Sequence, residues 1–406
     1  MLFRSLIVDL LTQPLVKPGG GPGRTVFIGL VAWLGVLIVT LGYGKWRMSH
    51  LEVISDLSGL TVAVVQTDVP QSNKQYPDDT QQRQDFEAMV NLTRNAAAAA
   101  DRAGQTVDLY VWPETVMPRG MNKETIEISR TFCRVLRLDP PENVQERQLL
   151  QHWCDAVAYY ERVKQLVDEL GGSLIVGAHA FADWGERGPN KRFNAAFLFS
   201  SEGRLLGRFD KVHRVPFGEY LLFEETLPFL RGWLEKLAPN GRFPDLDAGE
   251  RIHVMEMPVP THDGLEDLPR KETWGVGTPS CFEDVVSHVC RKMMYRKGRK
   301  RGDVLINLTN DGWYPGSAQG WQHEQIARFR CVENRVPMAR SVNRGVSGLI
   351  DSNGRILARV EVDGRSQMVA GHLIGELPLD GRGTIFGRIG DAFGVGCAAA
   401  TGLALL

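Results

Sequence analysis

The sequence predicts an α/β protein carried on a membrane helix, with an apolar tail at its C-terminus. Three observations predict it. No residue from Thr25 to Gly44 is charged. From Leu60 onward, short apolar runs alternate with helix-length stretches, the pattern of layered α/β folds. The final stretch, Ala392 to Leu406, is apolar almost throughout.

The chain has 406 residues, 43% of them hydrophobic, enough for one large domain or two ordinary ones. Its net charge of -1 gives no bulk attraction to nucleic acid or any other polyion. Six cysteines in this length are no disulfide scaffold, and none has CxxC spacing. The nine histidines form no HExxH or other metal pattern, so no metal or cofactor is expected.

In chain order, Lys17 to Arg24 reads as a glycine-rich linker, without the Lys-Ser/Thr of a phosphate loop. Thr25 to Gly44, at about 1.5 Å per residue, spans roughly 30 Å, the thickness of a bilayer core. A cleaved signal peptide is the rival reading, but the run is long for its apolar region and no small-x-small site follows at once. The flanking charges are nearly balanced and do not orient it. Leu60 to Gln66 is a strand, Asp79 to Gly104 a helix and Val107 to Trp112 a strand ending at Pro113-Glu114. Residues 119–155 read as a partly helical, polar insertion. It contains Cys133 and Cys154, whose pairing the sequence leaves open. A helix over Ala156 to Leu170 and strands over Ser173 to Ala178 and Asn194 to Ser200 follow. Residues 224–272 are irregular and Pro/Gly-rich, as a long loop over the surface would be. Asp303 to Thr309 is a strand and Gln322 to Asn334 a helix. Pro337 to Asn343, Ser347 to Ile350, Ile356 to Val362 and Met368 to Ile374 are strands. The basic run Arg291 to Arg301 reads as a solvated helix face and loop, with anionic lipid headgroups as the other candidate use. As a helix, the tail from Ala392 is about 22 Å long, short of a full span. It is a truncated membrane helix, a half-inserted anchor or a buried terminal helix.

Three segments carry chemistry. Trp274 to Val286 reads as an apolar run, a tight turn and a helix start, with Cys281 at the turn and Glu283 and Asp284 in the first helical turn. Backbone holds a thiol there firmly, and N–H groups at the helix start favour its thiolate. Acyl transfer through a thioester needs such a position. Glu114 lies just past a strand in Trp112-Pro-Glu-Thr115. Lys211 lies past a hairpin in Phe209-Asp-Lys-Val-His213. Strand ends in an α/β sheet converge on one crevice. There a carboxylate can take the thiol proton, and an ammonium can stabilise an oxyanion.

With their flanks, WPET around Glu114, FDKVHRVPFGEY around Lys211 and SCFED around Cys281 resemble the nitrilase superfamily, the carbon-nitrogen hydrolases. Gln66 to Ser72, Leu308 to Trp313, Gln322 to Arg330 and Asn343-Arg-Gly345 resemble one branch of it, the apolipoprotein N-acyltransferases. The resemblance covers about residues 60 to 375. It implies a four-layer α-β-β-α nitrilase-type sandwich. It implies that Cys281 takes an acyl chain from a phospholipid as a thioester. The amino group of a lipoprotein's N-terminal diacylglyceryl-cysteine then accepts that chain. Glu114 is then the base and Lys211 the oxyanion partner. Glu219 and Glu283 match two further carboxylates of the family. Phe282, Trp313, Tyr220 and Gln75 fall at substrate-binding positions. Phe282 stands where the branch often has Tyr, and Gln75 where it usually has Trp. The branch has several membrane helices before this domain, and this chain has one clear candidate.

On this reading, residues 1–58 are the membrane anchor and linker, 59–376 the catalytic domain and 377–406 the tail. The setting implied is the bacterial inner membrane, with the domain facing the periplasm. Two other functions fit the residues less fully. One is an anchored amidase or nitrilase-like hydrolase acting on a small amide. The other is a non-catalytic binding protein on the same fold.

Overall fold

A computed structural model describes residues 24–49, 59–75, 78–185, 188–220, 246–259 and 272–405. The chain forms two compact units, Met1–Glu52 and Val53–Leu406. The first contributes one described element, helix α1 (Arg24–Ser49). Within it Phe27–Ser49 contains an 18-residue window of mean hydropathy 2.0, none of it buried, and is long and apolar enough to cross a membrane.

The second unit is built on two six-stranded sheets. The first sheet uses β1 (Leu60–Gln66), β2 (Leu109–Val111), β3 (Ser173–Gly185), β4 (Gly188–Phe199), β5 (Leu205–Asp210) and β14 (Gly371–Leu377), in the order β14-β1-β2-β3-β4-β5. The second uses β6 (Met255–Pro258), β7 (Thr273–Gly277), β10 (Val304–Asn310), β11 (Met338–Asn343), β12 (Gly348–Ile350) and β13 (Ile356–Arg359), in the order β13-β12-β11-β10-β7-β6.

Period-two alternation sorts the side chains of the first sheet. Leu60, Val62, Val64, Leu109 and Val111 face Val304, Ile306, Leu308 and Ala339 of the second sheet, in one core between the sheets. Ala63, Val65 and Tyr110 face outward into a second core. That core is closed by helices α3 (Asp79–Arg102) and α5 (Val144–Leu170). On the far side of the second sheet lie α6 (Ser287–Met294) and α7 (Gln319–Asn334), which bury Val289, Met293, Ala327 and Cys331. The layers are therefore helix, sheet, sheet, helix: the four-layer nitrilase-type sandwich.

Several expectations need correcting. The polar insertion is a helical hairpin. It consists of α4 (Lys123–Leu138) and the first part of α5, which starts at Val144 and not at residue 156. Asn143 caps α5 by accepting from the Gln145 and Glu146 amides, so polar composition did not prevent helix there. Cys133 and Cys154 join the two helices as a disulfide. The strand starting at Ser173 runs on to Gly185, and its partner starts at Gly188, forming one long hairpin. The surface loop over 224–272 contains the edge strand β6, paired with β7. The rest of that loop, 224–245 and 260–271, lies outside the described residues. The basic run is the end of α6 followed by a tight hairpin, β8 (Tyr295–Arg296) and β9 (Arg299–Lys300), and not helix and loop. The turn after Cys281 is a single 3-10 turn, Cys281–Asp284, before α6 begins.

The chain ends in α8 (Ile385–Ile389) and α9 (Ala392–Leu405). Thr384 fastens α8 by donating its hydroxyl to the Glu333 carbonyl at 2.6 Å. Arg291 donates to the Gly387 carbonyl at 3.0 Å. Helix α9 is apolar and exposed along its described length, so it is not a buried terminal helix.

Candidate active site

Three strand ends meet at one crevice. Past β2, the chain at Pro113-Glu114-Thr115 crosses directly over Gly177 of β3. A Cβ at residue 177 would run into the Pro113 carbonyl oxygen and the Glu114 Cα, so only glycine lets the carboxylate take this place. Past β5, the Lys211 amide donates to the Asn194 carbonyl at 2.8 Å. Past β7, Ser280 pairs with Leu308 of β10. Cys281 then adopts φ +47°, a left-handed value that costs a non-glycine residue backbone strain. The strained turn leaves Cys281 half-buried, while Cys290 and Cys331 are buried.

The side chains converge. Lys211 is 1% exposed, and its Nζ lies 3.3 Å from Glu114 Oε1 and 2.8 Å from Glu219 Oε1. Asn194 Nδ2 donates to Glu114 Oε1 at 2.6 Å and to Glu219 Oε1 at 3.4 Å. The hydroxyl of Ser280, the residue before Cys281, donates to Glu114 Oε1 at 3.2 Å. Glu219 Oε2 accepts the Val215 amide at 2.8 Å, which fixes the carboxylate from its own loop.

Glu283 plays a different part. Its Oε1 accepts the amides of Val212 at 2.7 Å and His213 at 2.9 Å, and its Oε2 accepts that of Ser280 at 2.9 Å. One carboxylate thus clasps the Lys211 loop to the Cys281 turn.

The electrostatics follow from burial and these partners. Burial pushes the Cys281 thiol well up, the Glu114 carboxylate adds to this, and Lys211 opposes both. The resting sulfur is therefore protonated and needs a base. Burial works against the Lys211 charge, but Glu114 and Glu219 overcome it, so its pKa rises and it stays an ammonium. Burial raises the Glu283 carboxyl to about 7 against the pull of its three amide donors and Lys211.

The other face of the same turn has its own ionic group. Asp284 accepts from Arg340 Nη1 at 2.6 Å and sits 2.7 Å from His323 Nε2. His323 Nδ1 lies 3.0 Å from Asp311 Oδ1. Asp284 and Arg340 are 0% exposed. Burial alone would lower the His323 pKa. Asp284, with the hydrogen bonds to both aspartates, raises it to about 9 in spite of Arg340. Two carboxylates and two cations therefore balance in a sealed space.

Of the residues expected from sequence, the structure brings Cys281, Glu114, Lys211, Glu219 and Glu283 together. Phe282 leaves the same turn and stacks on His213 with ring centroids 6.0 Å apart. Tyr220 lies beneath the Arg214 guanidinium, 4.3 Å from its ring centroid, at the end of the Lys211 loop. Trp313 is 51% exposed on the loop after β10, and no described contact ties it to the cluster. Gln75 ends the short helix α2 (Gln71–Gln75), and its side chain lies outside the described part. Gln71 of that helix accepts from Asn310 Nδ2 at 3.1 Å, which links α2 to the end of β10. Sequence reasoning missed Asn194, Ser280 and the Asp284 group. Asn194 opens an apolar run and Ser280 precedes the nucleophile, so each had a positional signal; His323 lay inside a noted motif without a role.

No group of His, Cys, Asp and Glu among the described residues could hold a metal ion. What remains is a thiol with an adjoining carboxylate and a fixed ammonium, a set able to form and break a thioester.

The chain is 30% identical over 383 residues to the apolipoprotein N-acyltransferase of Geobacter metallireducens, covering 94% of this chain and 59% of the relative. It is 30% identical over 360 residues to that of Brucella melitensis, covering 88% and 56%. The chain thus spans under two thirds of the length of these relatives. Among solved structures, the carbon-nitrogen hydrolase of Helicobacter pylori G27 overlays with a TM-score of 0.48 at 16% identity, covering 80% of this chain and 90% of that one. A family model described as carbon-nitrogen hydrolase matches residues 61–379, and the chain belongs to that family.

Proposed function

We propose that this protein is a membrane-anchored N-acyltransferase. It moves a fatty acyl chain from a phospholipid, through a Cys281 thioester, to the amino group of a lipoprotein's N-terminal diacylglyceryl-cysteine. The observation that carries the reading is the shared Glu114 Oε1, which accepts both from Lys211 Nζ and from the hydroxyl of Ser280, the residue before the nucleophile. The names of the relatives supply the acyl acceptor class.

In the first half-reaction Glu114 takes the Cys281 proton as the sulfur attacks the ester carbonyl. Lys211 faces the oxyanion that forms. The intermediate collapses, the lysophospholipid alkoxide leaves, and Glu114 returns the proton to it. In the second half-reaction the acceptor amine attacks the thioester, Glu114 takes the amine proton, and the sulfur leaves and is reprotonated. Glu219 holds the Lys211 ammonium in place, and Glu283 keeps nucleophile turn and lysine loop in register. Phe282, Tyr220, Trp313 and Gln75 are the candidate substrate-binding residues.

The Cys133–Cys154 disulfide supports a periplasmic setting, since such bonds persist in oxidising compartments. Intact-mass measurement of the full chain in detergent, after exposure to a phospholipid, tests the reading. The expected result is one acyl adduct, absent in Cys281→Ala and discharged by an amine-bearing diacylglyceryl peptide. Turnover of small amides by a folded chain that never acquires an acyl adduct would overturn it.

A further inference from the structure

We infer that the β8–β9 hairpin and the adjoining α8–α9 corner form a docking surface for anionic phospholipid headgroups in a bilayer. The inference does not depend on the acyl-transfer reading. It rests on cations without partners set beside apolar side chains without cover.

A cavity of about 540 Å³ is lined by Arg296, Lys297, Arg299, Lys300 and Arg301. Two of these are structural. Lys300 Nζ donates to the carbonyls of Arg335, Asp380 and Arg382. Arg301 donates to those of Met293, Lys292 and Ile252. They hold the hairpin on the body of the domain. The turn itself, Lys297-Gly298, has φ of +51° and +73°, which suits a tight two-residue hairpin. Arg296, Lys297 and Arg299 are exposed, and among the described residues none of them has an ion-pair partner. Exposed Lys292 and Arg388 extend the same patch. Asp391, just before α9, is an exposed acid three residues from Arg388.

A rigid basic cavity alone would suit any phosphate-bearing anion. Its neighbours decide for a membrane. Gly298 sits against the Arg388 backbone, so the hairpin tip abuts α8. On α8, Ile385 is 64% and Ile389 52% exposed, and Phe393 at the start of α9 is 79% exposed. Beyond it α9 offers apolar surface along its described length. Cations that meet headgroups beside apolar groups that enter the acyl region are the two signals stable interfacial binding requires. A soluble polyanion would leave the apolar half in water.

The test is native mass spectrometry of the full chain released from detergent with equal amounts of phosphatidylglycerol and phosphatidylcholine. The wild-type chain should retain phosphatidylglycerol preferentially, and the preference should weaken at high salt. The Arg296→Gln/Lys297→Gln/Arg299→Gln variant should lose that preference by about tenfold or more. Lys45→Gln/Arg47→Gln, which alters the other basic stretch beside an apolar helix, should keep it. Unchanged reactivity of Cys281 toward iodoacetamide shows that the triple variant is folded. Equal retention of both lipids by wild type, an undiminished preference in the triple variant, or complete displacement of the lipid by inorganic phosphate would each overturn the inference.

Discussion

The two ionic groups on either side of the Cys281 turn use the same kinds of side chain for opposite ends. On one side Glu114, Glu219 and Lys211 leave an excess of negative charge beside a half-buried thiol. On the other, Asp284, Asp311, Arg340 and His323 cancel, sealed from solvent. The first group is poised to trade protons because its charges are unequal and one member meets solvent. The second can only hold, because each of its charges already has its opposite. A buried charge is a catalytic candidate when its neighbourhood is unbalanced, and a fastening when it is balanced.

Substitutions should separate the two. The largest expected effect is on chemistry: Glu114→Gln keeps the acceptor for Lys211 and Asn194 but cannot take a proton. Thioester formation on Cys281 should fall by about 10²-fold or more, read by intact mass, with little change in the unfolding midpoint. An unaltered rate would remove Glu114 from the role of base. Next comes stability: Asp284→Asn leaves Arg340 facing a neutral amide in the core. Unfolding in denaturant should show a loss of about 3 kcal/mol or more. A variant of wild-type stability would mean that the sealed group is not a fastening.

The smallest effect concerns pH. The His323 pKa, about 9 in the folded chain, lies above its ordinary 6.5. The native state therefore binds this proton more tightly than the unfolded chain does. The stabilisation is complete below about pH 6.5 and is lost as pH climbs through 9. Denaturant midpoints of wild type should decline across that window. His323→Gln should start lower and lose most of the slope. Parallel pH curves for the two proteins would show that the imidazole stays neutral.

Much of this was legible in the sequence for identifiable reasons. The buried strands announce themselves as apolar runs, and Cys281, Glu114 and Lys211 sit where those runs stop. The start of α5 was hard to read, because Val144 to Gln151 is mostly polar and its Val144 and Leu149 are exposed, so no buried apolar stripe marks it. The two-residue strands β8 and β9 are too short to show any alternation. Asp284, His323 and Arg340 come from a turn, a helix and a strand. Such a meeting depends on how layers stack, which local pattern does not encode. Trp313, named from a motif, stands on an exposed loop, where a shared word need not mean a shared contact.

The clasp made by Glu283 has a consequence for which chains can carry this turn. Its two oxygens span amides on two separate elements, so what is selected is reach as much as charge. Aspartate, one methylene shorter, would grip Ser280 or the Val212–His213 pair but not both, and the crevice would come unbuttoned along that seam.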